Sequence, residues 1–319
     1  MSTVAARPCC LNNSQRIICD DNVVRVFIPS HGALGQGSVR VELVSDETLA
    51  RANRKIKQIL AKWEAKGITS NLIYSRIYSD IKEAKCWELI PYAPTRNGIL
   101  GSVQRVWNQI KVLCRVIFGG ITHSQVEMDK IAKELNDLDN VELPTHDEAR
   151  TKPKKLDAFC NQEIIKSHCI FTAKHNHVFY CRSPLQKRHF LIVPKNHVES
   201  RAALSFSEIE EAEALAQELT QIGLGDKVKA VYIHDKSGKD AGQAVPHWCK
   251  QVIFVESSVK EFFGKLKVFA NILLGSGWSK LSDSALKERV HKCKQEFGPR
   301  LQTWFKAQPN GTTEATPTT

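Results

Sequence analysis

One arrangement of segments occurs twice in this chain, and that repetition limits the folds open to it more than any other feature. Residues 109–119, QIKVLCRVIFG, and 265–275, KLKVFANILLG, match in apolar pattern and in length. Upstream of each lies an amphipathic stretch that stops at a glycine. Residues 49–67 carry Ile56, Ile59 and Trp63 on one face, and 207–223 carry Ala212, Leu215 and Leu219 at matching positions. That spacing predicts helices, which commonly end on glycine. A β-branched run precedes each helix, Val39 to Val44 and Phe190 to Val193. Two more runs follow each helix, Leu72 to Tyr74 and Cys86 to Ile90 in the first half, Val231 to Ile233 and Cys249 to Ile253 in the second. Such runs read as strands. The order strand, helix, strand, strand, helix therefore recurs, which points to duplication of one α+β unit.

The two units are placed at 22–140 and 157–297, with a polar linker at 141–156, a flexible N-terminus at 1–21 and a C-terminal tail at 298–319. A length of 319 residues with 42% hydrophobic residues can fill a core in each unit. The ten cysteines have no framework spacing and no secretory leader precedes them, which suggests reduced thiols in a cytoplasm. The apolar run from Ile110 to Ile121 is broken by Lys111 and Arg115 and is too short to span a bilayer, so no membrane partner is expected. A formal charge of +11 favours anionic partners, whether nucleotide phosphates, nucleic acid or an acidic protein surface. The short basic clusters Lys152, Lys154, Lys155 and Lys187, Arg188 match no nucleic-acid module.

Chemistry concentrates in DAGQAVPHWCKQ, residues 240–251, which runs into the apolar strand Val252, Ile253, Phe254. If 247–251 is extended, His247, Cys249 and Gln251 share one face and Trp248 and Lys250 the other. Gly242 allows a tight backbone approach, and the main-chain N–H groups of Gly242, Gln243, Ala244 and Val245 are candidates to cradle a phosphate.

This stretch resembles the histidine-triad (HIT) superfamily, in which a loop like Gly-Gln-Ser-Val leads into alternating histidines. SPLQKRHFLIVPKNH, residues 183–197, and DAFC, residues 157–160, resemble further segments of the same family. Gln251 in the third place is similar to the galactose-1-phosphate uridylyltransferase and dinucleoside-tetraphosphate phosphorylase branches, and the former also has two HIT-like halves. The resemblance implies an α+β fold of two tandem HIT-like halves, each an antiparallel sheet with helices, packed as an internal pseudo-dimer. It implies a nucleotide or nucleotide-sugar ligand, with His247, Cys249 and Gln251 as a degenerate catalytic triad and no cofactor.

Three positions depart from the pattern. Cys249 stands where the attacking histidine belongs, Ala244 replaces a phosphate-binding serine, and Cys181 falls where an aspartate often holds the ribose. The matching triad of the first half would be Ala84, Cys86 and Glu88, with no glycine loop beside it, and an acidic Glu88 would repel phosphate. The expected function is a HIT-like nucleotide-phosphate-binding protein related to nucleotidyl transferases and hydrolases, with histidine catalysis lost. The alternatives are a transferase or phosphohydrolase that uses Cys249 as a thiolate, and a non-enzymatic interaction protein that keeps the fold. The group Cys160, His168, Cys169, His175 and His177 fits no zinc spacing, so no metal is assigned; His175 and His177 are read as a turn. Trp87, Trp107 and Trp248 are read as core.

Overall fold

A computed structural model of the chain describes residues 16–32, 37–44, 49–78, 86–95, 98–118, 121–143, 157–225, 228–256 and 280–308. The first half contributes strands β1 (Arg16–Asp20), β2 (Val24–Ile28), β4 (Val39–Leu43), β5 (Ser70–Tyr78) and β6 (Cys86–Tyr92), with helix α1 (Leu49–Glu64) between β4 and β5. Two short strands, β3 (His31–Gly32) and β7 (Ile121–Thr122), form a separate ribbon. Helices α2 (Ile99–Phe118) and α3 (Gln125–Glu134) complete this half. The second half begins with the short helix α4 (Gln162–His168). It then supplies β8 (Cys169–Thr172), β9 (Asn176–Tyr180), β10 (His189–Pro194), β11 (Val228–Ser237) and β12 (Lys250–Glu256), with α5 (Phe206–Gly223) between β10 and β11 and α6 (Asp283–Ala307) after β12.

The strands form one ten-stranded sheet in the order β1-β2-β4-β6-β5-β11-β12-β10-β9-β8, with every neighbouring pair antiparallel. That order reads the same from either edge once each first-half strand is matched to its second-half counterpart. The register places the relation more finely. His234 lies opposite Tyr74, while Asp235 lies opposite Ile73 and Ile233 opposite Ser75, as a local twofold axis between Tyr74 and His234 requires. One strand further out, Gln251 pairs with His234 and Glu88 pairs with Tyr74, so Glu88 and Gln251 are equivalent. The α+β architecture of two like halves follows. Closing β5 against β11 also hides the edge that each half would otherwise leave open.

Each half packs its helix on the same sheet face. Ile56, Ile59 and Trp63 of α1 sit in a core with Val39, Val41, Trp87 and Leu89. Ala212, Leu215 and Leu219 of α5 sit in another with Ile192, Val231, Trp248 and Phe254. Helix α6 adds Leu286, Val290, Cys293, Phe297, Leu301 and Phe305 to the second core, a three-to-four-residue spacing that gives one apolar stripe. The halves also bond across: Lys57 Nζ donates to the Leu204 carbonyl at 2.6 Å and Arg201 Nη2 to Asn53 Oδ1 at 2.9 Å.

Several expectations need correction. The terminal segments are shorter than expected: Arg16–Asp20 gains a strand by pairing with β2, and α6 runs on to Ala307 because Leu301 and Phe305 are core residues. Trp107 is 56% exposed, since α2 turns Ile99, Val103, Val106 and Trp107 outward; Trp87 and Trp248 are core. His177 lies in β9, and only His175 is in the turn before it. The repeated segment 265–275 and Ala84 lie outside the described residues. Among the described residues no helix is long and apolar enough to cross a membrane.

Candidate functional site

On the sheet face away from α5, a cavity of about 310 Å³ is walled by apolar side chains such as Phe159, Phe179 and Leu191. His247, Cys249, Gln251, Gly242, Gln243, Ala244 and Val245 all line it. The strand β12 starts only at Lys250, later than expected, because the backbone ahead of it bonds elsewhere. His247 N–H turns back to the Val245 carbonyl at 2.7 Å and Trp248 N–H donates to Val198 at 2.6 Å. The alternation still holds, with Trp248 and Lys250 buried on the opposite side.

The glycine loop is only partly available to a ligand. Gly238 and Gly242 have φ of 84° and 76°, left-handed values that favour glycine, and between them runs a single helical turn. Gly242 N–H donates to the Lys239 carbonyl and Gln243 N–H to that of Gly238. The Gln243 side chain is also spent, accepting from Gly238 N–H at 2.7 Å and donating to the Glu199 carbonyl at 2.9 Å. Gln243 therefore braces the loop. The N–H groups of Ala244 and Val245 have no hydrogen-bond partner among the described residues.

Gln251 is oriented by His189, which lies in the 183–197 segment. Leu185 N–H donates to His189 Nδ1 at 3.2 Å, which places the ring proton on Nε2, and Nε2 lies 3.0 Å from Gln251 Oε1. Burial lowers His189 to about 4, against the Gln251 bond that favours its charge, so the ring is neutral. With its oxygen anchored, the Gln251 amide N–H is left to face Cys249. In the first half the equivalent carboxylate is already occupied: Glu88 Oε2 accepts from Arg40 Nη2 at 3.1 Å and from Tyr74 Oη at 2.8 Å.

Cys249 is held as a thiol. Burial, with Cys181 and the Asp235 charge nearby, pushes it up to about 12, and Cys181 is likewise raised to about 12 by burial. A thiol in that state is a poor nucleophile.

His247 lines the cavity, yet both ring nitrogens are engaged behind it. Nδ1 lies 2.5 Å from Asp157 Oδ2 and Nε2 lies 3.1 Å from the Pro194 carbonyl. Asp157 Oδ2 also meets His197 Nδ1 at 2.7 Å, and Cys160 Sγ donates to it at 3.2 Å. Burial raises Asp157, but bonds from His247, Phe159 N–H, Cys160 and His197 outweigh it and hold the carboxyl below its ordinary range. One potential ligand atom from each of Asp157, Cys160, His197 and His247 lies within 4.8 Å of the other three. An oxygen, a sulfur and two imidazole nitrogens are donor types that zinc takes, and a bound ion would replace the His247–Asp157 and His197–Asp157 hydrogen bonds. No regular spacing in the sequence marks this set. Of the group Cys160, His168, Cys169, His175 and His177, Cys160 alone takes part; Asp157 stands beside it in the chain, and His197 and His247 come from distant positions.

The HIT domain family model matches residues 162–248, which lie in the second half of the chain. Among solved structures, the fold is similar to that of a GalT-like protein from Arabidopsis thaliana (13% identity, TM-score 0.43), with 76% of this chain and 78% of that one covered. It is also similar to an ADP-glucose phosphorylase from Arabidopsis thaliana with bound ADP-glucose (12% identity, 84% and 82% covered, TM-score 0.44). A third similar structure is the C. elegans NitFhit protein (20% identity, 40% and 27% covered, TM-score 0.29). No curated protein matches the sequence.

Proposed function

We propose that the second half binds the phosphate of a nucleotide or nucleotide sugar and that Cys249 leaves it without histidine-based nucleotidyl transfer. The observation that carries this reading is the shared cavity: two unpaired backbone N–H groups, at Ala244 and Val245, and an oriented Gln251 amide open on one space. Such donors suit a phosphate, and the apolar walls suit a base. A positioned nucleophile would split a displacement into two easier steps, but the group at the attacking place is a protonated thiol. His247 is turned onto Asp157 and Pro194 and serves as a positioning residue.

Binding and hydrolysis of mono-, di- and sugar nucleotides, measured on the native chain, Cys249→Ser and Cys249→His, test the reading. Native protein and Cys249→Ser should bind alike with negligible turnover, whereas Cys249→His should gain turnover. Efficient native turnover that vanishes in Cys249→Ser would establish thiolate chemistry instead. Absence of nucleotide binding in all three would favour an interaction protein.

The Asp157, Cys160, His197 and His247 set is read as a zinc site that fixes the cavity floor rather than the reacting group. Elemental analysis of the purified chain should find about one zinc per protein. Cys160→Ala with His197→Ala should lose it and unfold at lower temperature. A zinc-free native chain of unchanged stability on chelator treatment would sink the assignment.

A further inference from the structure

The wall of the cavity also includes a lysine. Lys236 lies near the end of β11, opposite Leu72 of β5, and shares the strand face of Tyr232 and His234. The residue is 8% exposed and lines the cavity together with Cys249, Gln251 and the 242–245 loop. It has no hydrogen bond or ion pair with any described residue. The adjacent carboxylate, Asp235, points to the opposite face and is taken by Arg201 at 2.8 Å and Lys250 at 3.2 Å. The titratable groups near Lys236 are Cys249, a thiol, and His234, which burial keeps neutral.

An unpaired ammonium in a dry wall is costly, and a chain that retains one gains from it only when something anionic arrives. We propose that Lys236 is the anion-recognising residue of this cavity, pairing with a phosphoryl group that carries its full charge, and that it selects nucleoside monophosphates over uncharged nucleosides. This rests on the nucleotide reading and adds to it the residue and the charge that decide affinity. Lys236 supplies an uncompensated charge beside the neutral Ala244 and Val245 N–H groups and the Gln251 amide; Arg182 also lines the cavity, but its guanidinium donates to Asp283 at 2.7 Å. Its amine is lowered to about 8 by burial, so near that pH part of the population is neutral and binding of an anion draws a proton from solvent.

Two measurements on the full chain test this. The first is calorimetry with AMP and with adenosine on native protein and Lys236→Met, near pH 8 in buffers of different ionisation enthalpy. The native chain should bind AMP roughly 10- to 100-fold more tightly than the variant, in keeping with the worth of a hydrogen bond to a charged group. AMP binding to the native chain should take up part of a proton that the variant does not, and adenosine should bind both forms alike. The second is amine acylation of the native chain, read at Lys236 by peptide mass spectrometry, with and without inorganic phosphate. Phosphate should protect Lys236, and this readout does not depend on the variant folding.

Equal AMP affinity in native and variant chains would overturn the role of Lys236 while leaving nucleotide binding in place. Protection by phosphate with no binding of any nucleotide would uphold Lys236 as an anion site and remove the nucleotide reading. Neither protection nor AMP binding would remove both.

Discussion

Replacing Arg201 with methionine is expected to lower the free energy of unfolding by about 3–5 kcal/mol, the usual result of breaking a buried ion cluster from one side. Its guanidinium is fully buried and donates to Asp235 at 2.8 Å, to Glu213 at 2.7 Å and to Asn53 at 2.9 Å. Lys250 completes the cluster at 3.0 Å from Glu213 and 3.2 Å from Asp235. Two cations face two carboxylates, so removing Arg201 strands one negative charge in the core and cuts a bond between the halves. Burial favours the protonated form of Glu213, but Lys250 and Arg201 outweigh it and lower its pKa. Glu213 thus contributes stability above the ordinary carboxylate range, and that contribution is lost as pH falls through its lowered folded value. Denaturant unfolding at neutral pH checks the magnitude. A loss below about 1 kcal/mol would show that the remaining groups repair the cluster.

Lys236→Met should have the opposite sign, raising the stability of the ligand-free chain by about 3 kcal/mol at neutral pH. Burial lowers the folded amine to about 8 from an ordinary 10.5, and each tenfold loss of proton affinity on folding costs about 1.4 kcal/mol. Because the folded protein binds this proton less tightly than the unfolded chain, the native protein carries the full cost below pH 8. Between about 8 and 10.5 the cost fades, so native and variant stabilities should converge as pH rises through that window. Unfolding curves at pH 7 and pH 10 would show it. A variant less stable than native at pH 7 would mean that Lys236 holds the fold together and is not kept for a ligand. A gain in stability alongside a loss of AMP affinity is the pattern of a residue retained for function at the expense of the fold.

The parts of this protein that were legible in the sequence are those whose residues are neighbours along the chain. The helices α1 and α5 and the strands around them are amphipathic with regular periods, so Ile56 and Leu215 declare their faces without further context. The 240–251 stretch is likewise local, and its seven candidate residues reach one cavity. What could not be read are relations carried by the sheet. Asp157 meets His247 and His197 only because β10 and the segment before β12 run side by side. His189 finds Gln251 across the same pair of strands. Lys236 sits in a strand whose neighbours Tyr232 and His234 gave no hint of which face would line a cavity. Even the loop was half misread, because Gly242 and Gln243 N–H groups close their own turns and the Gln243 amide clamps Glu199.

The axis between Tyr74 and His234 has a consequence for how such a chain diverges. When two identical subunits meet about a twofold axis, every mutation is imposed on both sides at once, and a change that disables one site disables its twin. With both halves in one polypeptide, inheritance at the two positions is separate. Arg40 and Glu88 form an ion pair on one side, while Gln251 and Cys249 lie beside an open cavity on the other. The first half is then free to serve as the permanent neighbour that β11 needs, and selection can act on the second half alone.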